Sequence, residues 1–245
     1  MKQNLFFDLD DTLIHCNKYF YFVIEQFVDA MTTWFAGYEG VSAEAVRNKQ
    51  TEIDIAGVAV LGFKSEHFPQ SFIDTYNYYS DLTGRKRSSM EQDFLWKLGL
   101  SVYEHETEPY PNMESTLDKL AGDGHILHLY TGGELTIQRR KIERMHLERY
   151  FDNRVYIRRH KNSEALEQIL AQGGYDRGLT WMIGNSIRTD VVPALTAGIH
   201  AIHMMAESEW QYNVINIEVE PKGAFFTLNN LLEVPPAIHD YINRG

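Results

Sequence analysis

At 245 residues with 44% apolar content, the chain exceeds one ordinary domain without requiring two equal ones. Its net charge of −11 argues against nucleic acid and anionic membranes as partners. A single cysteine, Cys16, excludes a scaffold held by internal disulfides, and no apolar run approaches the roughly 20 residues that span a bilayer. These features predict a soluble cytoplasmic protein.

The first predicted element is a short buried strand over residues 5–7, followed at once by Asp8, Asp10 and Asp11. On an extended segment Asp8 and Asp10 face the same side, because side chains alternate along a strand. Two like charges held so close require a cation between them or protonation of one of them. This stretch therefore indicates chemistry at the end of the strand.

A helical region follows the acidic stretch. Apolar residues recur at steps of three and four between positions 20 and 35, which predicts a helix that stops at Gly37. Weaker helical patterns cover residues 42–52, 69–82 and 89–103. We therefore predict an all-helical cap domain over residues 16–106, inserted into another domain and closing over its site.

From residue 107 onward, helical and extended patterns alternate. Helices are predicted at 112–121, 134–145, 163–172 and 190–197, and strands at 126–130, 154–157, 179–183 and 199–205. With residues 5–7 this makes five strands separated by helices, the pattern of an α/β fold with a doubly wound parallel sheet. We assign residues 1–15 and 107–245 to this core, with its site at the carboxyl ends of the strands.

Polar residues and glycines follow four of the predicted strands. They are Asp8 and Asp10 after the first, Thr131 and Gly132 after the second, Lys161 after the third, and Asn185 with Asp190 after the fourth. Lys141 competes with Lys161, but it lies in the middle of the predicted helix "IQRRKIERM", where a solvated charged face is the simpler interpretation. The lysine at the site is therefore predicted to be Lys161.

The set resembles the haloacid dehalogenase-like hydrolase superfamily, in particular its phosphatases with a helical cap inserted after the first motif. The resemblance covers residues 1–15 and about 107–210, and "DLDDT" at residues 8–12 is its most specific motif. "MIGNSIRTD" departs from the family's fourth motif, because Asn185 replaces the usual acid after the glycine while Asp190 keeps the second acidic position.

The resemblance implies a role for each catalytic residue. Asp8 would attack phosphorus and form an aspartyl-phosphate, while Asp10 would protonate the leaving group and later deprotonate water. The Thr131 hydroxyl, the Gly132 backbone N–H and the Lys161 ammonium would bind the phosphoryl oxygens. Magnesium would be held by the Asp8 carboxylate, the Asp10 backbone carbonyl, the Asn185 side chain and Asp190, the last directly or through water.

The sequence thus predicts a magnesium-dependent phosphomonoester hydrolase for a small phosphorylated metabolite, such as a nucleotide or sugar monophosphate. Alternatives on the same fold are a haloacid dehalogenase, a phosphomutase and a catalytically weakened binding protein. In the cap, Lys64 and His67 are candidate substrate contacts, although such loop residues are more often merely solvated.

Overall fold

The computed structural model describes residues 1–244, and they form two compact units. One unit combines residues 1–17 with the chain from residue 107 onward, and the other is Lys18–Glu106. Within residues 1–244, no helix has the length and apolar character needed to cross a membrane.

The Lys18–Glu106 unit is built from helices. Its helices are α1 (Asn17–Trp34, which begins one residue before the unit), α2 (Ala43–Leu61), α3 (His67–Thr83) and α4 (Ser89–Ser101). Ser42 and Ser88 cap α2 and α4 by accepting hydrogen bonds from backbone N–H groups of the first turn. The apolar stripe of α1 packs into an aromatic core, where the rings of Phe27 and Phe72 stack with centroids 4.2 Å apart.

The other unit contains one parallel sheet, formed by six strands in the described part of the chain. The strands are β1 (Asn4–Phe7), β2 (Ile126–Gly132), β3 (Val155–Arg158), β4 (Thr180–Gly184), β5 (His200–Met204) and β6 (Phe225–Leu228), in the order β3-β2-β1-β4-β5-β6. The predicted α/β class with a parallel sheet is confirmed. Reversal of the strand order next to β1 places a cleft at the carboxyl ends of β1 and its neighbours.

Helices connect these strands, and one follows the last of them. They are α5 (Met113–Gly122), α6 (Leu135–Arg144), α7 (Glu148–Phe151), α8 (Ser163–Gly173), α9 (Val192–Ala197) and α10 (Val234–Arg244). Leu5 and Phe7 of β1 pack into one apolar cluster and Phe6 into another. Such a strand, buried on both faces, reads as an unbroken apolar run rather than an alternation.

Helices α7 and α10 were not predicted, and three further details differ from the sequence prediction. Strand β6 was missed because no α-helix separates it from β5, so it falls outside the alternation of helical and extended patterns that located the other four-residue edge strand, β3. Helix α2 continues to Leu61, well past the predicted end at residue 52. A π-helical turn over Ile187–Val191 precedes α9, where a single regular helix was predicted.

Candidate active site

The sheet brings the predicted site residues to one edge. Strand β1 lies between β2 and β4, and β3 lies beyond β2, so the segments that follow these four strands are neighbours. The Asp8 N–H continues the ladder by donating to the Ile183 carbonyl at 2.9 Å. Asp8 is thereby held directly beside the segment that follows β4.

Asp8, Lys161 and Asp190 form a buried ionic cluster. Lys161 Nζ lies 2.6 Å from Asp8 Oδ1 and also pairs with Asp190 Oδ1, and all three residues are at most 6% exposed. Burial raises the pKa of Asp8, while the adjacent ammonium opposes that shift. Burial alone would lower the pKa of Lys161, but the two carboxylates raise it overall, so this lysine stays charged.

The turn after β4 fixes the position of Asp190. Asp190 Oδ2 accepts a hydrogen bond from the Ser186 N–H at 3.0 Å, and Ser186 Oγ accepts one from the Thr189 N–H at 3.1 Å. A Cβ atom on Gly184 would collide with the Asp190 carboxylate. Glycine is therefore required at the end of β4 for the carboxylate to approach the backbone this closely.

Thr12 links Asp8 to Asn185. Its hydroxyl accepts from the Asn185 N–H at 3.1 Å and lies 3.2 Å from Asp8 Oδ2 and 3.5 Å from Asn185 Oδ1. A hydroxyl has one hydrogen to donate, and the Asp8 carboxylate is the nearer and more strongly accepting partner. Asn185 Oδ1 therefore keeps lone pairs for a further partner beside Asp8.

Asp10 has a different set of partners from Asp8. Lys141 Nζ lies 2.7 Å from Asp10 Oδ1 and 2.9 Å from Oδ2, and Gln138 Nε2 donates to Oδ2 at 2.9 Å. The interpretation of Lys141 as part of a solvated face is therefore wrong, because α6 turns this residue towards Asp10. Lys161 remains the lysine beside Asp8, as predicted from its position after β3.

Asp11 supports the loop after β1. Its backbone is in the left-handed region, with φ of 58°, and its carboxylate accepts hydrogen bonds from the N–H groups of Cys16 and Asn17. Burial raises its pKa to about 7, against the opposing effect of these hydrogen bonds. Asp11 thus organises the entry into α1, whereas Asp8 and Asp10 face the lysines.

The donor atoms at this edge fit a hard cation with oxygen ligands. The Asp8 carboxylate and the Asn185 amide oxygen both adjoin the Thr12 hydroxyl, and both are the kind of ligand that Mg²⁺ prefers. Asp190 Oδ2 accepts from the Ser186 N–H and Oδ1 forms an ion pair with Lys161, which favours a contact with a cation through water. No group of three His, Cys, Asp or Glu side chains suited to a metal occurs within residues 1–244.

The phosphate-binding candidates also lie at this edge. Thr131 is buried near the end of β2, and its hydroxyl accepts from Gln138 Nε2 at 2.7 Å. Gly132 pairs in register with Arg158 of β3, and the Gly133 N–H donates to the Arg158 carbonyl at 3.0 Å. A Cβ atom on Gly133 would meet the Gln138 side chain at 2.8 Å, so this glycine makes room for Gln138.

The two residues proposed from the cap sequence have structural partners inside the helical unit. Lys64 Nζ pairs with Glu66 at 2.6 Å, and both side chains are exposed. His67 is buried, its Nε2 lies 3.0 Å from the Asp54 carbonyl, and Gly57 packs against its ring. The structure therefore gives His67 a role in packing α2 against α3 and offers no support for a contact with substrate.

Sequence reasoning missed Thr12, Gln138 and the contact of Lys141 with Asp10. Thr12 lies within the acidic motif itself, so its proximity to Asp8 was a usable signal. Gln138 and Lys141 are three residues apart, a spacing that places both on one face of α6. That spacing is a weak signal alone, because it does not tell which face of the helix points to the site.

Comparison with known proteins relates this arrangement to one family. The sequence profile of haloacid dehalogenase-like hydrolases matches residues 3–198. A glyceraldehyde 3-phosphate phosphatase from Methanothermobacter thermautotrophicus is 24% identical over 215 residues, which cover 84% of this chain and 87% of that protein.

Solved structures share the fold. A haloacid dehalogenase-like family hydrolase from Xanthomonas campestris superposes with a TM-score of 0.76 at 22% identity, covering 98% of this chain and 96% of that one. A dehalogenase crystallised as an intermediate complex superposes with a TM-score of 0.61 at 14% identity, covering 96% of each chain. At such identities the likeness establishes the fold alone.

The parallel sheet, with acidic residues after β1 and a lysine after β3, has the architecture of an α/β enzyme whose site lies at the carboxyl ends of the strands. With a profile match over most of its length, the chain belongs to the haloacid dehalogenase-like hydrolase family.

Proposed function

We propose that the protein is a magnesium-dependent phosphomonoester hydrolase that acts on a small phosphorylated metabolite through an aspartyl-phosphate on Asp8. The observation that carries the proposal is the separation of two carboxylates after β1. Asp8 pairs with Lys161 and Asp10 pairs with Lys141, so the two acids occupy different environments suited to different roles. The similarity to a glyceraldehyde 3-phosphate phosphatase supports phosphomonoester chemistry.

In the first half-reaction, an Asp8 carboxylate oxygen attacks phosphorus and the bond to the leaving oxygen breaks. Asp10, which is paired with the Lys141 ammonium in this structure, must first take up a proton from solvent, and it gives that proton to the leaving oxygen, which departs as an alcohol. Lys161 binds the phosphoryl oxygens together with the Thr131 hydroxyl and the Gly132 N–H. The Thr131 hydroxyl accepts from Gln138 and donates only a long hydrogen bond, at 3.4 Å, to the Gly132 carbonyl, so its hydrogen can turn to a phosphoryl oxygen.

In the second half-reaction, Asp10 accepts a proton from water as the water oxygen attacks phosphorus. The bond between phosphorus and Asp8 breaks, which releases inorganic phosphate, frees the Asp8 carboxylate and leaves Asp10 protonated for the next cycle. One catalytic cycle thus uses Asp10 once as acid, in the first half-reaction, and once as base, in the second.

The charge balance supports a role for magnesium. Asp8, Asp10, Asp11 and Asp190 are four acidic groups near two lysines, Lys141 and Lys161. A phosphate dianion approaching the buried Asp8 and Asp190 carboxylates would be repelled unless further positive charge offset them. Magnesium, when bound by Asp8, the Asp10 carbonyl and Asn185, with Asp190 through water, would supply that positive charge.

The other activities considered for this fold are separated by their products. A dehalogenase would release halide from a 2-haloacid and would need no acid for that leaving group, so the held carboxylate of Asp10 argues against it. A phosphomutase would return the phosphoryl group to an organic acceptor, and a binding protein would release nothing. An assay of inorganic phosphate over a panel of phosphorylated metabolites, with magnesium and with chelator, tests the proposal, and release of halide or failure of every substrate would contradict it.

The helical unit is proposed to determine the substrate class. We assign Lys18–Glu106 the role of a cap that selects the leaving group, on the basis of its insertion directly after the acidic motif. Nucleotide and sugar monophosphates, together with triose phosphates such as glyceraldehyde 3-phosphate, belong in the substrate panel. Hydrolysis of one of them with a kcat/KM well above that of the others would identify the class.

Replacement of Asp10 by asparagine is expected to slow substrates according to their leaving groups. Asparagine cannot supply the proton, and general acid catalysis contributes about 10²–10⁴-fold to rate when the leaving group is poor. We expect that loss for alkyl phosphates and a much smaller one for 4-nitrophenyl phosphate, whose leaving group departs unprotonated. Steady-state kcat values for both substrates check this, and equal losses would remove Asp10 from the role of acid.

Asn185 should govern the affinity for magnesium. Asn185→Asp adds a negative charge beside the proposed cation, so we expect a lower magnesium concentration for half-maximal rate. Asn185 Nδ2 lies 3.5 Å from Glu209 Oε1, however, and an aspartate would face that carboxylate. The increase in magnesium affinity should therefore be larger when Asn185→Asp is combined with Glu209→Gln.

Titration calorimetry with magnesium, in parallel with the rate, checks the Asn185 prediction. Asp190→Ala is the comparison, and it should weaken magnesium use and also remove one partner of Lys161. If Asn185→Asp leaves both titrations unchanged with and without Glu209→Gln, the cation does not bind beside residue 185.

A further inference from the structure

Helix α6 presents two side chains to Asp10. Gln138 and Lys141 are three residues apart on this helix, and both contact the Asp10 carboxylate, at 2.9 Å and at 2.7–2.9 Å. Gln138 is only 2% exposed, and the side chains of Lys141 and Asp10 are 21% and 24% exposed. These contacts join residues more than 100 positions apart in the chain, so they belong to the tertiary structure of the site.

Gln138 ties Asp10 to the proposed phosphate-binding hydroxyl. Its amide nitrogen has two hydrogens, and one points to Asp10 Oδ2 while the other points to Thr131 Oγ1 at 2.7 Å. The carboxylate cannot donate, so the nitrogen and not the oxygen of the amide must face it. Gln138 therefore fixes the carboxylate and the hydroxyl relative to one another.

Lys141 holds the same carboxylate from another direction. It contacts both Asp10 oxygens, which restricts rotation of the carboxylate plane as well as neutralising its charge. Burial would lower the pKa of Lys141, but the charge of Asp10 raises it overall, so the lysine remains an ammonium. Lys141 is thus the ion-pair partner of Asp10, as Lys161 is that of Asp8.

We propose that Gln138 and Lys141 are positioning residues for the acid–base step, which aim the Asp10 carboxylate at the leaving oxygen and set its distance from Thr131. The proposal rests on the hydrolase function proposed above. A carboxyl group that must protonate one oxygen and then, as a carboxylate, activate a water has to keep one orientation through both steps. Misplacement of a catalytic group by about 1 Å can cost roughly a hundredfold in rate.

The two residues should differ in their kinetic effects. Lys141→Met should lower kcat on alkyl phosphates roughly ten- to a hundredfold with little change in KM, and it should affect 4-nitrophenyl phosphate far less. Gln138→Met should slow both kinds of substrate, because it also releases Thr131. Lys141→Arg should restore much of the loss, since arginine can contact both carboxylate oxygens.

A double-mutant cycle gives the decisive measurement. If Lys141 acts through Asp10, Lys141→Met should have little further effect on alkyl phosphates in an Asp10→Asn background. Arg139→Met is the matched control, because Arg139 is an exposed cation on the same helix, and its kinetics should equal those of the wild type. Thermal unfolding of each variant shows whether it is folded.

The outcomes separate the inference from the function on which it rests. A wild-type protein that hydrolyses none of the phosphates contradicts the hydrolase function itself. An active wild type in which Lys141→Met costs as much with Asp10→Asn as without it, or slows both leaving groups equally, overturns the positioning role and leaves the function standing. A loss in Lys141→Met that is confined to alkyl phosphates, with little further loss when Lys141→Met is added to Asp10→Asn, supports both the positioning role and the hydrolase function.

Discussion

Replacement of Asp8 by asparagine is expected to abolish turnover while leaving the fold intact. An amide lacks the negative charge needed to attack phosphorus, and loss of a nucleophile costs at least about a thousandfold in rate. The fold should tolerate the change because Lys161 faces two buried carboxylates, and its pair with Asp190 survives. Phosphate release by purified protein, with thermal unfolding of the same sample, measures both quantities.

The stability of the Asp8→Asn variant relative to the wild type should depend on pH. Burial raises the pKa of Asp8 in the folded protein above the ordinary value of 3.8, so the native state binds a proton more tightly than the unfolded chain. For such a group, the contribution to stability is fully present below the ordinary pKa and is lost as pH rises through the folded pKa. Asparagine does not titrate, so the variant should be at least as stable as the wild type at about pH 8.

Asp93→Asn is the matched control for the Asp8 experiment, because Asp93 is an exposed carboxylate on α4. It should change neither rate nor stability. Turnover by Asp8→Asn within about tenfold of the wild type would refute the covalent role of Asp8. Lost turnover with a lowered unfolding temperature would instead show that Asp8 is needed for folding.

The parallel core could be predicted from sequence because its strands are short apolar runs with polar ends. Residues 126–130 and 179–183 have this form, and the structure places β2 and β4 over them. Strands β3 and β6 are both four-residue edge strands without a fully buried residue, and only β3 was predicted. The difference is that predicted helices precede and follow β3, whereas no α-helix lies between β5 and β6 to mark Phe225–Leu228 as a further strand.

The surroundings of Asp10 could not be predicted, for a geometric reason. Periodicity predicted a helix over residues 134–145, and α6 is found there. Which face of α6 meets the loop after β1 depends on its rotation about its own axis, and packing between distant segments decides that. Lys141 stands among Arg139, Arg140 and Arg144, so a charged solvated face was the natural interpretation, yet Lys141 points inward.

Lys161→Met is the second change for which we expect a large effect, on rate and stability together. The Lys161 side chain is only 2% exposed, and its removal leaves Asp8 and Asp190 buried without their shared cation. Breaking a buried ion pair in this way costs about 3–5 kcal/mol of unfolding free energy. Turnover should also fall steeply, because the proposed ligand of the phosphoryl oxygens is lost.

The pH dependence of Lys161→Met distinguishes loss of charge from loss of packing. Without the ammonium, the buried carboxylates of the native state should stay protonated up to a higher pH than the same carboxylates in the unfolded chain. Stability then falls as pH rises, so the deficit relative to the wild type should be larger at about pH 8 than at about pH 5.5. Urea unfolding at both values measures it, and a deficit independent of pH would indicate that packing alone was lost.

Lys141→Met is the matched comparison for Lys161→Met, because each lysine pairs with one carboxylate of the same motif. The Asp10–Lys141 pair is partly exposed, at 24% and 21%, so water screens the carboxylate that remains and the stability loss should be smaller. Its kinetic loss should be confined to poor leaving groups, whereas that of Lys161→Met should extend to 4-nitrophenyl phosphate, since every substrate presents the same phosphoryl oxygens. If Lys141→Met lowers turnover more than Lys161→Met does on both kinds of substrate, then Lys141 and not Lys161 binds the phosphoryl group. The assignment of Asp8 as the residue that accepts the phosphoryl group must then be revised as well.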